Sequence, residues 1–232
     1  MDKKVALIVG CSIGIGTTLV DTLIKNDFEV IITYYNNKNL VSTYKNKALV
    51  LQCDITNEDS IINMYQEIKK QYKHIDLLIN NVGIDIGNNI YDKTKDEFIK
   101  TLDTNIVGPF LIIKNGLDLL NESIIINISS TDGIYTYNEY NIDYAVSKAG
   151  LIQLTKSLVY ALPNNNFYTI APNYVNTESI KEMNPEFLKN EMKRIGQAKL
   201  IEPDEISKVV LEILNGNKEN GSLIILRGDN NE

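Results

Sequence analysis

Tyr144 and Lys148 stand four residues apart at the head of a strongly helical run, Asp143 to Leu162, so both side chains leave one face of a helix. A tyrosine phenol titrates near ~10, and an ammonium held beside it favours phenolate, which would make the pair a proton donor or acceptor usable near neutrality. The hydroxyl of Ser130 belongs with them, because it follows the apolar run Ser123 to Ile128, a strand whose end opens at the mouth of the same sheet. A tyrosine and lysine at this spacing, taken alone, also describe an interfacial tyrosine next to a solvated lysine. The surrounding elements decide between the two.

Those elements alternate strand and helix along the whole chain. Val5 to Val9 is a nearly all-apolar run that stops at Gly10, as a strand buried on both faces of a parallel sheet does. Gly10, Gly14 and Gly16 follow, and Ile15, Leu19, Val20, Leu23 and Ile24 keep helical spacing. Strand, glycine turn and helix in that order let a backbone approach a pyrophosphate at a helix N-terminus. Phe28 to Thr33 is the second strand, and the loop Tyr34 to Lys38 beyond it would face an adenosine ribose. It carries no Asp or Glu for a ribose 2′-hydroxyl, and Lys38 offers a charge for a 2′-phosphate, which leans the reading toward NADP(H) over NAD(H).

Ala48 to Cys53 is strand three, and Asp54 at its end either accepts from an adenine amino group or caps a turn. Asn57 reads as the N-cap of a helix to Tyr72. Ile75 to Ile79 is strand four and runs into Asn80-Asn81-Val82-Gly83, whose amides could hold ribose hydroxyls. A helix from about Thr94 carries Phe98, Leu102, Asn105 and Ile106; its continuation, Val107 to Leu120, is apolar on nearly every side, which points to a subunit interface. Asn105 among such neighbours needs a hydrogen-bond partner. Phe167 to Ala171 is strand six and Ser222 to Leu226 strand seven, after a last amphipathic helix from Glu202 to Leu214. The polar excursion over residues 174–200 is placed where a substrate lid belongs.

With 232 residues and 44% hydrophobic content the chain can bury one large core, and we expect one domain over residues 1–232. A net charge of −7 argues against nucleic acid as a partner. Cys11 and Cys53 lack metal or redox spacing, and no metal site is expected. His74, the single histidine, reads as solvated, so no Ser-His-Asp triad is available. No apolar run reaches the ~18 residues of a membrane span, and the N-terminus is too short for a signal peptide, so a soluble cytoplasmic protein is expected.

Taken together, Gly10-xxx-Gly14-x-Gly16, Asn80-Asn81-Val82-Gly83, Asn105, Ser130 and Tyr144-xxx-Lys148 resemble the short-chain dehydrogenase/reductase family, in order and over essentially the whole chain. The compact oxoacyl-carrier-protein reductases are the most similar type. The resemblance implies a doubly wound Rossmann sheet of about seven parallel strands with helices on both faces, and an oxidoreductase interconverting a ketone and a secondary alcohol. It implies Tyr144 as general acid/base, Lys148 depressing its pKa and gripping the nicotinamide ribose, Ser130 holding the carbonyl oxygen and Asn105 anchoring a water. Ser130 is preferred to Ser129 because residues 130–133 match the family's Ser-x-x-Gly. Cofactor contacts carried over are Gly10, Ser12, Ile13, Gly14, Ile15, Tyr34, Asp54, Ile55, Asn81, Gly83, Tyr144, Lys148, Pro172, Val175 and Thr177.

The chain departs from the pattern at Val9 for Thr, Val82 for Ala, Ile13 where NADP-preferring relatives often carry a base, Tyr168 for Asn, Asn173 for Gly and Arg227-Gly228-Asp229 for Asp-Gly-Gly. Asn173 was expected to keep the turn by tolerating positive φ. The expected partners are a small carbonyl or alcohol substrate, with an acyl thioester among the candidates, and further copies of the chain in a homodimer or homotetramer. The competing function is a non-catalytic, dinucleotide-sensing regulator on the same scaffold.

Overall fold

Strands that are apolar along their whole length must be covered on both faces, so the helices between them have to fall on alternate sides of one sheet. In this computed structural model, which describes residues 3–11, 14–137 and 139–229, seven parallel strands run in the order β3-β2-β1-β4-β5-β6-β7. They are β1 Val5–Val9, β2 Glu29–Tyr34, β3 Leu49–Gln52, β4 Leu77–Asn80, β5 Ile124–Ile128, β6 Asn166–Pro172 and β7 Leu223–Leu226. The helices are α1 Ile15–Lys25, α2 Asn39–Tyr44, α3 Glu58–Lys69, α4 Lys95–Leu102, α5 Gly108–Asn115, α6 Ile142–Ala161, α7 Glu178–Lys181, α8 Pro185–Ile195 and α9 Pro203–Leu214. The doubly wound sheet expected from the alternation is present, with boundaries moved by one or two residues.

Period-2 alternation along β1 divides the core. Ala6 and Ile8 pack with Leu19 and Leu23 of α1 and Ile206 and Val210 of α9, while Leu7 and Val9 pack with Ile61 and Ile68 of α3 and Ile112 of α5. Strand order reverses at β1, which pairs with β2 on one side and β4 on the other. Successive crossovers leave in opposite directions there, which opens a crevice at the carboxyl ends of these strands.

Three local expectations change. The helix after Thr94 is interrupted by one π-helical turn, Asp103–Val107, where the Gly108 N–H reaches the Asp103 carbonyl. Pro109 has no N–H to offer the residue-105 carbonyl, so the regular i→i−4 ladder is broken at this point. The stretch from Val107 to Leu120 is not buried on every side as its composition implied: Val107, Phe110 and Leu117 are 41%, 42% and 41% exposed. The excursion after β6 breaks into α7 and α8, because the Asn184 side chain accepts from the Glu186 and Phe187 N–H groups and Pro185 starts a new helix.

Asn173 does not have positive φ. Its side chain secures the turn instead, accepting from Thr131 Oγ1 and donating to the Arg227 carbonyl at 3.1 Å. Tyr168 lies in the core with its hydroxyl directed to the Lys218 carbonyl, on the far side from the crevice. Among the described residues, no helix is long and apolar enough to cross a membrane.

Candidate active site

The crevice at the strand ends widens into a cleft of about 1550 Å³. At its floor, three strand ends are tied together. The Gly10 N–H donates to Thr33 Oγ1 at 3.1 Å, the Cys11 N–H to the Thr33 carbonyl at 2.9 Å, and Asn81 Nδ2 to the Gly10 carbonyl at 2.8 Å. Thr33 and Asn81 therefore do the joining that a hydroxyl at Val9 would have shared, and Thr33 is a residue the sequence did not single out. Gly10 has φ 82°, and a Cβ there would fall 2.2 Å from Val82 Cγ2, so only glycine allows β1 and β4 to end this close.

The first turn of α1 follows. It has no side-chain cap and no acidic residue, so unpaired N–H groups and the positive end of the helix dipole are available to an anion. Gly14 packs against Thr177. Of the expected cofactor contacts, Gly10, Ile15, Tyr34, Asp54, Ile55, Asn81 and Gly83 line the cleft, as do Pro172, Val175 and Thr177. Gly14 is not among the lining residues, and Ser12 and Ile13 lie outside the described residues. Asp54 caps its own turn, its Oδ1 accepting from the Thr56 N–H at 2.9 Å and Thr56 Oγ1 at 2.7 Å. Asn80 faces inward and donates to Asn127 Oδ1 at 2.8 Å, so of the two adjacent amides only Asn81 meets the cleft. Between Thr33 and Asn37 the lining is uncharged, and Lys38 is exposed outside it.

The other end of the cleft is built from β5, the turn after it and α6. Ser130 caps a short 3-10 turn, Thr131–Gly133, its Oγ accepting from the Asp132 N–H at 3.1 Å. A Cβ on Gly133 would lie 2.6 Å from the Lys148 backbone, so glycine lets this turn sit directly on α6 and bring Ser130 to Tyr144. Ser129 instead donates to the Lys148 carbonyl at 2.9 Å. Lys148 is buried and donates to the Ile128 carbonyl at 2.9 Å. Burial lowers its pKa to about 8, with Asp132 acting in the other direction.

The expected acidification of Tyr144 by Lys148 is not what this geometry produces. The ammonium lies 5.4 Å from the centre of the phenol ring and is committed to the Ile128 carbonyl. Burial holds the phenol above its ordinary value, and the carboxylates of Asp132 and Asp85 push the same way; the Ser130 hydrogen bond opposes them.

Asn105 lies beneath the cleft, not on it. The π turn aims its side chain inward, where Oδ1 accepts from the Ile84 N–H at 2.8 Å and Nδ2 donates to the Ile84 carbonyl and to Ser147 Oγ, both at 2.9 Å. Ser147 in turn donates to the Tyr144 carbonyl at 2.7 Å. The partner required by a buried amide is thus the loop after β4 together with the first turn of α6. A second tie was not anticipated: Lys93 Nζ lies 3.0 Å from Asp143 Oδ1 and also donates to the Ile86 carbonyl, while Thr101 Oγ1 donates to Asp143 Oδ2 at 2.7 Å. Both members of that ion pair are buried, and Asp143 is next to Tyr144 in sequence.

A phenol, a hydroxyl and a buried ammonium converge on one wall of a cleft that also opens onto a glycine turn and an uncapped helix at the switch point of a parallel sheet. The sequence model of the short chain dehydrogenase family matches residues 4–187. The chain is a short-chain dehydrogenase. It is 29% identical to the 3-oxoacyl-[acyl-carrier-protein] reductase FabG of Aquifex aeolicus, covering 91% of this chain and 90% of that one. It is 28% identical to carbonyl reductase family member 4 of Xenopus laevis, covering 97% of each. Its fold matches the RhlG/NADP active-site complex of Pseudomonas aeruginosa with a TM-score of 0.88 at 24% identity, covering 97% of this chain and 95% of that one. It also matches the aldohexose dehydrogenase of Thermoplasma acidophilum with a TM-score of 0.85 at 22% identity, covering 97% and 93%. Relatives named as reductases and dehydrogenases make this short-chain dehydrogenase an enzyme, an oxidoreductase of that family.

Proposed function

We propose that this short-chain dehydrogenase interconverts a ketone and a secondary alcohol with a nicotinamide dinucleotide. The observation that carries the reading is the convergence of Ser130, Tyr144 and Lys148 on one wall of a cleft whose other end is an uncapped helix N-terminus. A dinucleotide fits that cleft: the first turn of α1 would hold its pyrophosphate, and Tyr34, Asp54 and Ile55 would flank its adenosine end. When bound, the cofactor supplies or receives the hydride.

Tyr144 Oη gives its proton to the carbonyl oxygen as that oxygen gains charge, and Ser130 Oγ donates a hydrogen bond to the same atom. The raised phenol pKa keeps the proton in place at neutral pH, ready for an alkoxide, which is a much stronger base than a phenolate. Lys148 stays charged below pH 8 and presents its remaining N–H groups to a ribose. Asn105 and Ser147 hold the helix turn that carries Tyr144 against the loop after β4; both Nδ2 hydrogens of Asn105 are taken, so a water held there would have to donate to one of its carbonyl oxygens.

Residues 174–200, with α7 and α8, serve as the substrate lid over one 1–232 domain. The uncovered apolar side chains of Ile99, Val107 and Phe110 support a homodimer or homotetramer, and buried free Cys11 and Cys53 suit a cytoplasmic setting. The curated relatives named as acyl-carrier-protein reductases make an acyl thioester one substrate candidate. An intact Ser130, Tyr144 and Lys148 set argues against a regulator without catalysis.

The absence of a carboxylate between Thr33 and Asn37 favours NADP(H) over NAD(H). Titration with each reduced cofactor, followed by a carbonyl panel read at the nicotinamide absorbance band, tests both parts. NADPH is expected to bind more tightly and to be consumed. Tighter NADH binding overturns the preference, and cofactor binding without consumption favours the regulator.

A further inference from the structure

Two aspartates stand beside the proposed proton donor and have no part in the proton transfer. Asp85, in the loop after β4, and Asp132, in the turn after β5, line the cleft with Tyr144 from two different walls. Both are near enough to act on the Tyr144 phenol. Asn141 Nδ2 donates to Asp85 Oδ2 at 2.6 Å, fixing that carboxylate at the head of α6.

The cations that act on them, Lys93 on Asp85 and Arg194 and Lys148 on Asp132, are each bound to other groups and offset them only in part. Lys148 is bound to the Ile128 carbonyl, Lys93 to Asp143 and the Ile86 carbonyl, and Arg194 of α8 to Glu191 through contacts of 2.7 to 3.2 Å. Among the described lining residues, Lys100 and Lys148 are the only basic side chains, against five aspartates, at positions 54, 85, 96, 103 and 132. A second, independent sign of an unmet polar demand lies on the same wall. Thr136 is 6% exposed and lines the cleft, yet its hydroxyl has no hydrogen-bond partner among the described residues.

We propose that the reacting end of the cleft selects carbonyl or alcohol substrates carrying a protonated amine next to the reacting carbon, and rejects those carrying a carboxylate there. This rests on the ketone and alcohol reading above and names its substrate class. Two like charges on facing walls of a half-enclosed space raise each other's energy, and a cation between them relieves both. The carboxyls of Asp85 and Asp132 are each pushed up to about 6, by burial first, and Asp85 further by Asp132. A substrate anion in the same place would meet two carboxylates that Lys93, Lys148 and Arg194 offset without overcoming the effect of burial, which is how a site discriminates by repulsion. Tyr174, whose phenol also feels Asp132, adds an aromatic face at this end of the cleft.

Three secondary alcohols of nearly equal size test this: 1-amino-2-propanol, 1,2-propanediol and lactate. Their dissociation constants are measured by calorimetry on protein saturated with oxidised cofactor, and their kcat/KM values separately. The amino alcohol is expected to bind about tenfold more tightly than the diol, and lactate more weakly than either. Asp132→Asn and Asp85→Asn should each shrink the gap between amino alcohol and diol to about twofold or less. Equal binding of all three, tighter binding of lactate, or a gap that survives both substitutions overturns the proposal; the wild-type series decides it even if a variant fails to fold. Preferential binding of the amine without oxidation of any alcohol would sink the hydride-transfer reading and leave the charge preference standing. Equal binding and oxidation of all three would do the reverse.

Discussion

Tyr144→Phe is expected to reduce turnover by about a thousandfold or more while leaving cofactor affinity near that of the wild type. The substitution removes one oxygen and keeps the ring, so the packing of α6 over Lys148 and the Ser130 turn persists. What goes is the proton that must reach the carbonyl oxygen as it becomes alkoxide. Because burial and the flanking carboxylates hold the phenol above its ordinary range, the phenol itself should impose no pH dependence on reduction near neutrality, and the fall expected at higher pH follows loss of charge on Lys148 at about 8. Alcohol oxidation, which needs the proton to leave, should climb as pH rises. Steady-state rates in both directions, with cofactor titration by fluorescence, check this, and unchanged turnover in the phenylalanine variant removes Tyr144 from the chemistry.

The second large effect is on stability. Lys93→Met leaves the Asp143 carboxylate buried without its cation, at a cost of about 3–5 kcal/mol. For a chain of this length that is a fall in melting temperature of roughly 10 °C. The double variant Lys93→Met with Asp143→Asn should recover most of the loss, because an amide keeps an acceptor for Thr101 and carries no charge. Thermal unfolding of these two variants and of Asp143→Asn alone provides the cycle. A single-variant loss below about 1 kcal/mol would mean that water reaches the pair and that it does not clamp the loop to α6.

How much of this was readable beforehand depended on whether a feature repeats. β1 was legible because a strand buried on both faces is apolar at every position, β5 and β6 because they are mostly so, with Asn127, Asn166 and Thr169 the polar interruptions, and the Gly10 turn because a backbone that must come within van der Waals contact of Val82 admits no side chain. Tyr144 and Lys148 were legible because helical spacing fixes which side chains share a face. The direction of the pKa shift was not, since it depends first on how deeply the fold buries the phenol and then on Asp132 and Asp85, which reach Tyr144 from other parts of the chain.

Lys93 gave no signal either: it sits in a polar loop and reads as solvated, and only the folded chain puts it on Asp143. The π turn did leave a mark, since Pro109 four residues after Asn105 cannot supply the expected hydrogen bond. Burial of the Val107 to Leu120 stretch was overestimated because composition says that a helix is apolar but not what covers it. In the single chain, one face of it stays open.

The central claim is that hydride passes from a nicotinamide to a carbonyl carbon in front of Tyr144. The most direct measurement uses NADPH deuterated at C4 of the nicotinamide and a ketone from the panel, with the product analysed by NMR. We predict deuterium on the carbinol carbon of the product with the wild-type protein, and none above background with Tyr144→Phe over the same interval. An alcohol product without the label, or labelled product formed equally well by the variant, would contradict the account.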